Sequence, residues 1–251
     1  MKASIILIFG FYFALITSNG QSAKEIIEKA YEINNDRSNF TEMTMTIVRP
    51  TWKRTIGFKT WSKTSEFSMA LVTEPAKEKG QTFLKRGNEM WNWVPSINRM
   101  IKLPPSMMSQ GWMGSDFSND DLLKESSIVK DFEHSFLEAE TFDNKQCYKI
   151  KLVPKPDAAV VWGALVKWIS KDGLFQLKTE YYDEDNLLVK TELASNIRQM
   201  HDRQIPTHFE IVPTDKPGNK TLLDIVNVKF NIEIEDGFFS QQRMKNVGSG
   251  Q

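Results

Sequence analysis

The chain has 251 residues, one cysteine, and 32 acidic and 32 basic side chains, so its formal net charge at pH 7 is zero. A neutral chain lacks the basic excess of a nucleic-acid-binding protein, and a single cysteine, Cys147, cannot form an internal disulfide. We therefore expect a fold that is held together by apolar burial, binds no nucleic acid and keeps Cys147 as a buried thiol.

The first twenty residues have the organisation of a secretory signal peptide. Lys2 gives a positive start, residues 5–16 are apolar, and Ser18 and Gly20 occupy the −3 and −1 positions of a cleavage site before Gln21. The apolar run is too short to span a bilayer core of ~30 Å comfortably. We predict cleavage of residues 1–20 and one domain over residues 21–251, with an uncleaved membrane anchor as the alternative.

A helix is predicted directly after the cleavage site. Residues 22–25 read Ser-Ala-Lys-Glu, a capping-box pattern. Apolar residues then recur at helical spacing until the chain reaches Asn34 and Asn35. A helix of about a dozen residues is marginal alone in water, so its apolar face must pack on another element, most simply a sheet.

Most of the remaining chain alternates with a period of two. Met43, Met45 and Ile47 share one face of the first strand, and Asp172-Gly173 is a strong hairpin turn. Residues 128–141 fit a strand or a helix, and we favour a strand. In total we expect about eleven antiparallel strands with a few helices, forming a curled sheet, a sandwich or a barrel.

Residues 88–123 hold three of the seven tryptophans and five of the eleven methionines. Trp at strand edges beside an adaptable Met-rich loop can wall a cavity of the size of a lipid or an acyl chain. An ordinary core with methionine as filler is the alternative. The expected ligand-binding residues are Trp91, Trp93, Met100, Met107, Met108, Trp112, Met113 and Phe117.

Residues that would carry catalysis or bind a metal are not arranged for either. The three histidines are not at metal-ligand spacing. Asp116-x-Ser118-x-Asp120 resembles half of a calcium loop, but Asp121 replaces the expected glycine. A lipid hydrolase using Ser115 or Ser118 would need a histidine base folded nearby. We therefore expect no metal, no cofactor and no enzymatic activity, with the hydrolase as the weaker alternative.

The order of signal peptide, helix, curled meander and Trp/Met segment resembles the outer-membrane lipoprotein-sorting family, the LolA-like proteins. It is most similar to a longer branch with a W-x-W-x-P, R-x-I-K-x-P, W-M-G-S-D-F-S-x-D-D signature. The matching positions are Trp91, Trp93, Pro95, Arg99, Ile101, Lys102, Pro104, Met108, residues 112–118, Asp120 and Asp121.

This resemblance implies an open, strongly curved antiparallel half-barrel with helices covering its concave face. It also implies a periplasmic carrier that sequesters acyl chains of lipoproteins or other lipids for transfer toward the outer membrane. Partners would be an inner-membrane transporter and an outer-membrane acceptor, and we expect a monomer. The alternative is an accessory or adaptor protein of a lipid-exporting transporter that carries no cargo itself.

Overall fold

A computed structural model describes residues 21–35, 37–124, 128–158 and 160–248. The predicted signal peptide lies outside these residues. The helices are α1 (Ala23–Asn35), α2 (Asn119–Lys124) and α3 (Gln241–Met244). The strands are β1 (Ser38–Arg49), β2 (Trp52–Lys63), β3 (Phe67–Glu74), β4 (Thr82–Arg86), β5 (Glu89–Val94), β6 (Arg99–Lys102), β7 (Phe132–Phe136), β8 (Glu140–Phe142), β9 (Lys145–Pro154), β10 (Ala164–Ser170), β11 (Gln176–Tyr182), β12 (Leu188–Met200), β13 (Arg203–Pro213) and β14 (Lys220–Phe230).

All fourteen strands belong to one antiparallel sheet that does not close into a barrel. Its order is β6-β5-β4-β3-β2-β1-β14-β13-β12-β11-β10-β9-β7, and β8 also pairs with β9. Among the described strands, the first and the last, β1 and β14, pair at the centre of the sheet. They join two meanders, β1–β6 and β7–β14. The predicted open antiparallel sheet is confirmed.

The predicted count of about eleven strands is wrong. Part of the difference lies in residues 128–141, which contain two short strands, β7 and β8, instead of one. Both pair along β9, with Phe136 opposite Ile150 and Glu140 opposite Cys147. Strands of three and five residues contain too few alternations to be recognised from a period of two.

The inner face of the sheet is the face on which α1 packs. The predicted capping box is present, because Ser22 N donates to Glu25 Oε2 (3.0 Å) and Glu25 N donates to Ser22 Oγ (3.2 Å). The apolar side of α1 buries Ile26 and Ile27 in a cluster with Phe132 of β7 and with side chains of β9 and β10. This burial supplies the apolar partner that a helix of this length needs.

The outer face of β2–β6 is covered by the C-terminal segment, residues 234–247. Phe239 and Met244 are fully buried there, in a cluster with Trp91 and Trp93 of β5. Phe239 stacks on Phe67, with ring centroids 5.5 Å apart. Helix α3 therefore packs on the face of the sheet opposite to the one on which α1 packs.

Cys147 on β9 is fully buried, as predicted, and its Sγ donates to the carbonyl of Lys145 at 3.4 Å. Burial raises the pKa of this thiol, which keeps it protonated and unreactive near neutral pH. Within the described ranges, no helix combines the length and apolar character needed to cross a membrane.

Replacing Ile26 by alanine should lower the free energy of unfolding by about 2–5 kcal/mol, because the cavity left under α1 cannot be refilled. Denaturant titration followed by circular dichroism measures the change. Glu28→Ala on the exposed side of the same helix is the matched control, expected within about 0.5 kcal/mol of the parent. Equal losses in both variants would contradict the assigned helix face.

The edge strand β7 contains a histidine that makes stability depend on pH. His134 Nε2 donates to the carbonyl of Ile128 at 2.7 Å. Burial, with smaller contributions from Lys24 and Lys155, lowers the pKa of His134 below its ordinary value. The neutral ring is therefore favoured in the folded state, so its contribution is complete above ~6.5 and is lost as pH falls below that value.

Because the pKa of His134 is lowered in the folded state, we expect the unfolding free energy to decrease as the pH falls below about 6.5. In His134→Gln this histidine's share of the decrease should disappear, because the amide can donate the same hydrogen bond without titrating. Urea titrations at several pH values measure the difference. An identical pH profile for the two proteins would refute this role of His134.

Candidate ligand-binding cavity

A cavity of about 360 Å³ lies against the inner face of the sheet. Its wall draws side chains from both meanders, including Met43 of β1, Phe83 of β4, Leu165 of β10 and Ile225 of β14. Helix α1 contributes Ala30 and Tyr31. The volume falls within the ~300–1,000 Å³ range of small-molecule pockets.

Residues 111–122 form a roof segment over one end of this cavity. Trp112 N donates to the carbonyl of Phe117 at 2.7 Å, and Gly111 forms an isolated β-bridge with Ser118. A Cβ on residue 111 would lie only 2.4 Å from the carbonyl oxygen of Ser115, so only glycine fits there. Gly114, with φ of +80°, provides the left-handed backbone conformation in the turn between Gly111 and Ser115.

The roof segment is attached to the centre of the sheet through Asp116. Its carboxylate pairs with Arg49 of β1 at 3.0 Å and accepts a hydrogen bond from Thr221 Oγ1 of β14 at 2.7 Å. Arg49 Nη2 also donates to the carbonyl of Gly114 at 2.8 Å. The guanidinium and the hydroxyl thus satisfy a largely buried carboxylate from both sides.

A second buried carboxylate, Asp121 of α2, attaches the roof to the other meander. It pairs with Lys190 of β12, and both side chains are less than a tenth exposed. Trp162 Nε1 donates to Asp121 Oδ1 at 2.9 Å, and the Lys190 ammonium lies 4.8 Å from the Trp162 ring centroid. Ser118 N and Asp121 N exchange hydrogen bonds with each other's side chains, which caps α2.

Trp112 belongs to the roof, and its side chain lines the cavity. Its indole stacks on Phe58 at 5.0 Å and meets Phe83 edge-on at 5.1 Å. Its Nε1 is buried and has no hydrogen-bond partner among the described residues. An unsatisfied buried N–H costs about 1–3 kcal/mol, and an oxygen atom of a bound ligand could satisfy it.

The structure divides the eight predicted site residues between different places. Trp112 and Phe117 line the cavity, and Met113 packs in the same apolar cluster. Trp91, Trp93 and Met100 lie in the outer-face cluster under the C-terminal segment. Strand alternation explains the split, because Met90 on β5 faces the cavity and its neighbour Trp91 must face outward.

Met107 and Met108 are half-buried and do not line the cavity. Their backbone carbonyls hold the start of α2. The Met107 carbonyl accepts from Asn119 Nδ2 (2.9 Å), and the Met108 carbonyl accepts from Asp120 N (2.9 Å).

Part of the cavity wall is polar, which the sequence patterns did not predict. There, Tyr181 OH donates to Glu192 Oε2 at 2.7 Å. The period-two pattern places the alternate positions of each strand on one face, but only the packing of the whole sheet shows that this face is the inward one.

The candidate hydrolase and calcium residues have structural partners. Ser115 Oγ accepts from Phe117 N at 3.2 Å, and Ser118 Oγ caps α2. The two histidines that could have served as the base are also engaged: His134 Nε2 donates to the carbonyl of Ile128 at 2.7 Å, and His201 Nδ1 accepts from Phe230 N at 3.3 Å. Among the residues whose positions are described, no group of three or more His, Cys, Asp or Glu side chains could hold a metal ion.

A family model described as "-like: Uncharacterized protein" matches residues 64–246. No curated protein matches the chain.

Three crystal structures share the fold. A DUF1329 family protein from Desulfovibrio piger has a TM-score of 0.81 and 23% identity, over 88% of this chain and 97% of its own. LolA superfamily protein NE2245 from Nitrosomonas europaea has a TM-score of 0.76 and 25% identity, over 89% and 100%. A putative outer membrane lipoprotein-sorting protein domain from Vibrio parahaemolyticus has a TM-score of 0.75 and 21% identity, over 87% and 99%.

Replacing Lys190 by methionine leaves the Asp121 carboxylate buried without its cation. We expect the free energy of unfolding to fall by about 3–5 kcal/mol, as measured by urea titration. The double variant Asp121→Asn/Lys190→Met removes both charges and retains an acceptor for Trp162, so it should be clearly more stable than the single variant. A double variant no more stable than the single one would show that the ion pair does not hold the roof.

Proposed function

The chain belongs to the family whose model matches residues 64–246, and we propose that it is a periplasmic carrier of acyl chains. It would sequester the chains of lipoproteins or other lipids in the cavity and release them toward the outer membrane. The LolA superfamily and lipoprotein-sorting structures named above, which align with most of this chain, support this role.

The observation that carries the proposal is the cavity itself. It is bounded by both meanders, α1 and the roof, and large apolar side chains such as Phe83, Trp112 and Leu165 contribute to its wall. Each methylene moved from water into such a site contributes about 0.8 kcal/mol. A single chain of about a dozen methylenes would then contribute roughly ten kcal/mol before ordering costs.

The proposal includes no chemical step. The serines and acids of the roof are engaged in caps, turns and ion pairs, which supports a binding role over hydrolysis. We assign ligand contact to Trp112 and Phe117. The proposed carrier acts as a monomer after cleavage of residues 1–20, between an inner-membrane transporter and an outer-membrane acceptor, and this route rests on the family resemblance.

Filling the cavity should abolish uptake without unfolding the protein. Ala70 on β3 lines the cavity, so Ala70→Phe places a ring in the space that an acyl chain would occupy. We expect the parent protein to carry lipid in native mass spectrometry and to take up a fluorescent fatty acid. The variant should lose at least about nine-tenths of that uptake.

Val226→Phe is the matched control, because Val226 lies on β14 with 63% of its surface exposed. It should take up the fatty acid as the parent protein does. Parent protein that is repeatedly free of lipid and takes up no fatty acid would refute the carrier function and favour an adaptor without cargo.

A further inference from the structure

One end of the cavity wall is polar. The inner faces of four neighbouring strands place Asn39 beside Ser62, Ser62 beside Ser68, and Ser68 beside Lys85 in the register of the sheet. All four side chains line the cavity, and we call them the polar row. Asn39 and Lys85 are more than nine-tenths buried, and Ser62 Oγ donates to Ser68 Oγ at 3.3 Å.

The same strands become apolar toward the roof. Along β1, the inner face passes from Asn39 through Met43 to Ile47, and along β2 it passes from Ser62 to Phe58. The apolar ends of both strands pack in one cluster with Trp112. The part of the wall formed by β1 and β2 is therefore polar at the row and apolar beside Trp112.

We propose that this gradient orients an amphiphile, with its alkyl chain toward Trp112 and an anionic, phosphate-bearing head group at the polar row. The inference rests on the proposed carrier function and specifies its ligand class. All four residues of the row can donate hydrogen bonds, and Lys85 adds a positive charge, which matches the oxygens of a phosphate monoester. The carboxylates of the wall belong to other elements: Asp120 and Asp121 to α2, and Glu192 to β12.

The test uses two probes with the same alkyl chain and opposite head groups. Monododecyl phosphate and dodecyltrimethylammonium, both below their micellar concentrations, compete with a fluorescent apolar dye for the mature protein. The phosphate should displace the dye at a concentration at least about tenfold lower, because only its head accepts hydrogen bonds from the row. Inorganic phosphate should not displace the dye, since it lacks the chain that supplies apolar burial.

The double variant Ser62→Ala/Ser68→Ala removes two donors that contact each other, so neither hydroxyl is left unpaired. It should lose most of the preference for phosphate and keep its affinity for dodecyltrimethylammonium. The matched control is Thr46→Ala/Thr55→Ala, an exposed cross-strand hydroxyl pair 2.9 Å apart on β1 and β2. It should behave as the parent protein does, and thermal unfolding of each variant confirms the fold.

Each outcome has a separate meaning. Dye binding with equal displacement by both heads, a preference that survives Ser62→Ala/Ser68→Ala, or displacement by inorganic phosphate would overturn the polar-row inference and leave the carrier function standing. Failure of the dye and of both alkyl probes to bind would overturn the carrier function and this inference together.

Discussion

The attachment of two buried carboxylates is the interaction on which the rest of the structure depends. Asp116 binds the roof to β1 and β14 at the centre of the sheet, and Asp121 binds it to Lys190 on β12. An open sheet has no closing strand pairs to fix the space above its inner face. The two carboxylates fix that space instead, because each must remain beside its cation to offset the cost of leaving water.

This attachment fixes the position of the roof relative to the sheet. The backbone of the roof turns at Gly111 and Gly114 and is fixed at Asp116, so Trp112 stacks on Phe58 and Phe83 at one end of the inner face. The space between this aromatic cluster and α1 remains as the cavity. Ion pairs with defined partners therefore determine where an apolar compartment lies, although they contribute no apolar surface themselves.

The two faces of the sheet are covered to different extents. The outer face of β2–β6 is filled by the C-terminal segment, where Phe239 and Met244 pack on the tryptophans of β5. The inner face is only partly filled, by α1 and by the roof. Two neighbouring residues on β5 therefore have different surroundings: one is part of a solid core and the next is part of the cavity wall.

The sequence by itself determined the local structure. The capping box of α1, the shared face of Met43, Met45 and Ile47, and the buried thiol of Cys147 follow from patterns that reach only a few residues along the chain. Tertiary structure decided which face of each strand is inward, and so placed Trp112 at the cavity and Trp91 and Trp93 outside it. It also decided that the acids of the roof pair with Arg49 and Lys190, which are 67 and 69 positions away. These outcomes depend on contacts between segments that are distant in the sequence. A two-residue period shows that a strand has two faces, but it does not show which face meets the core.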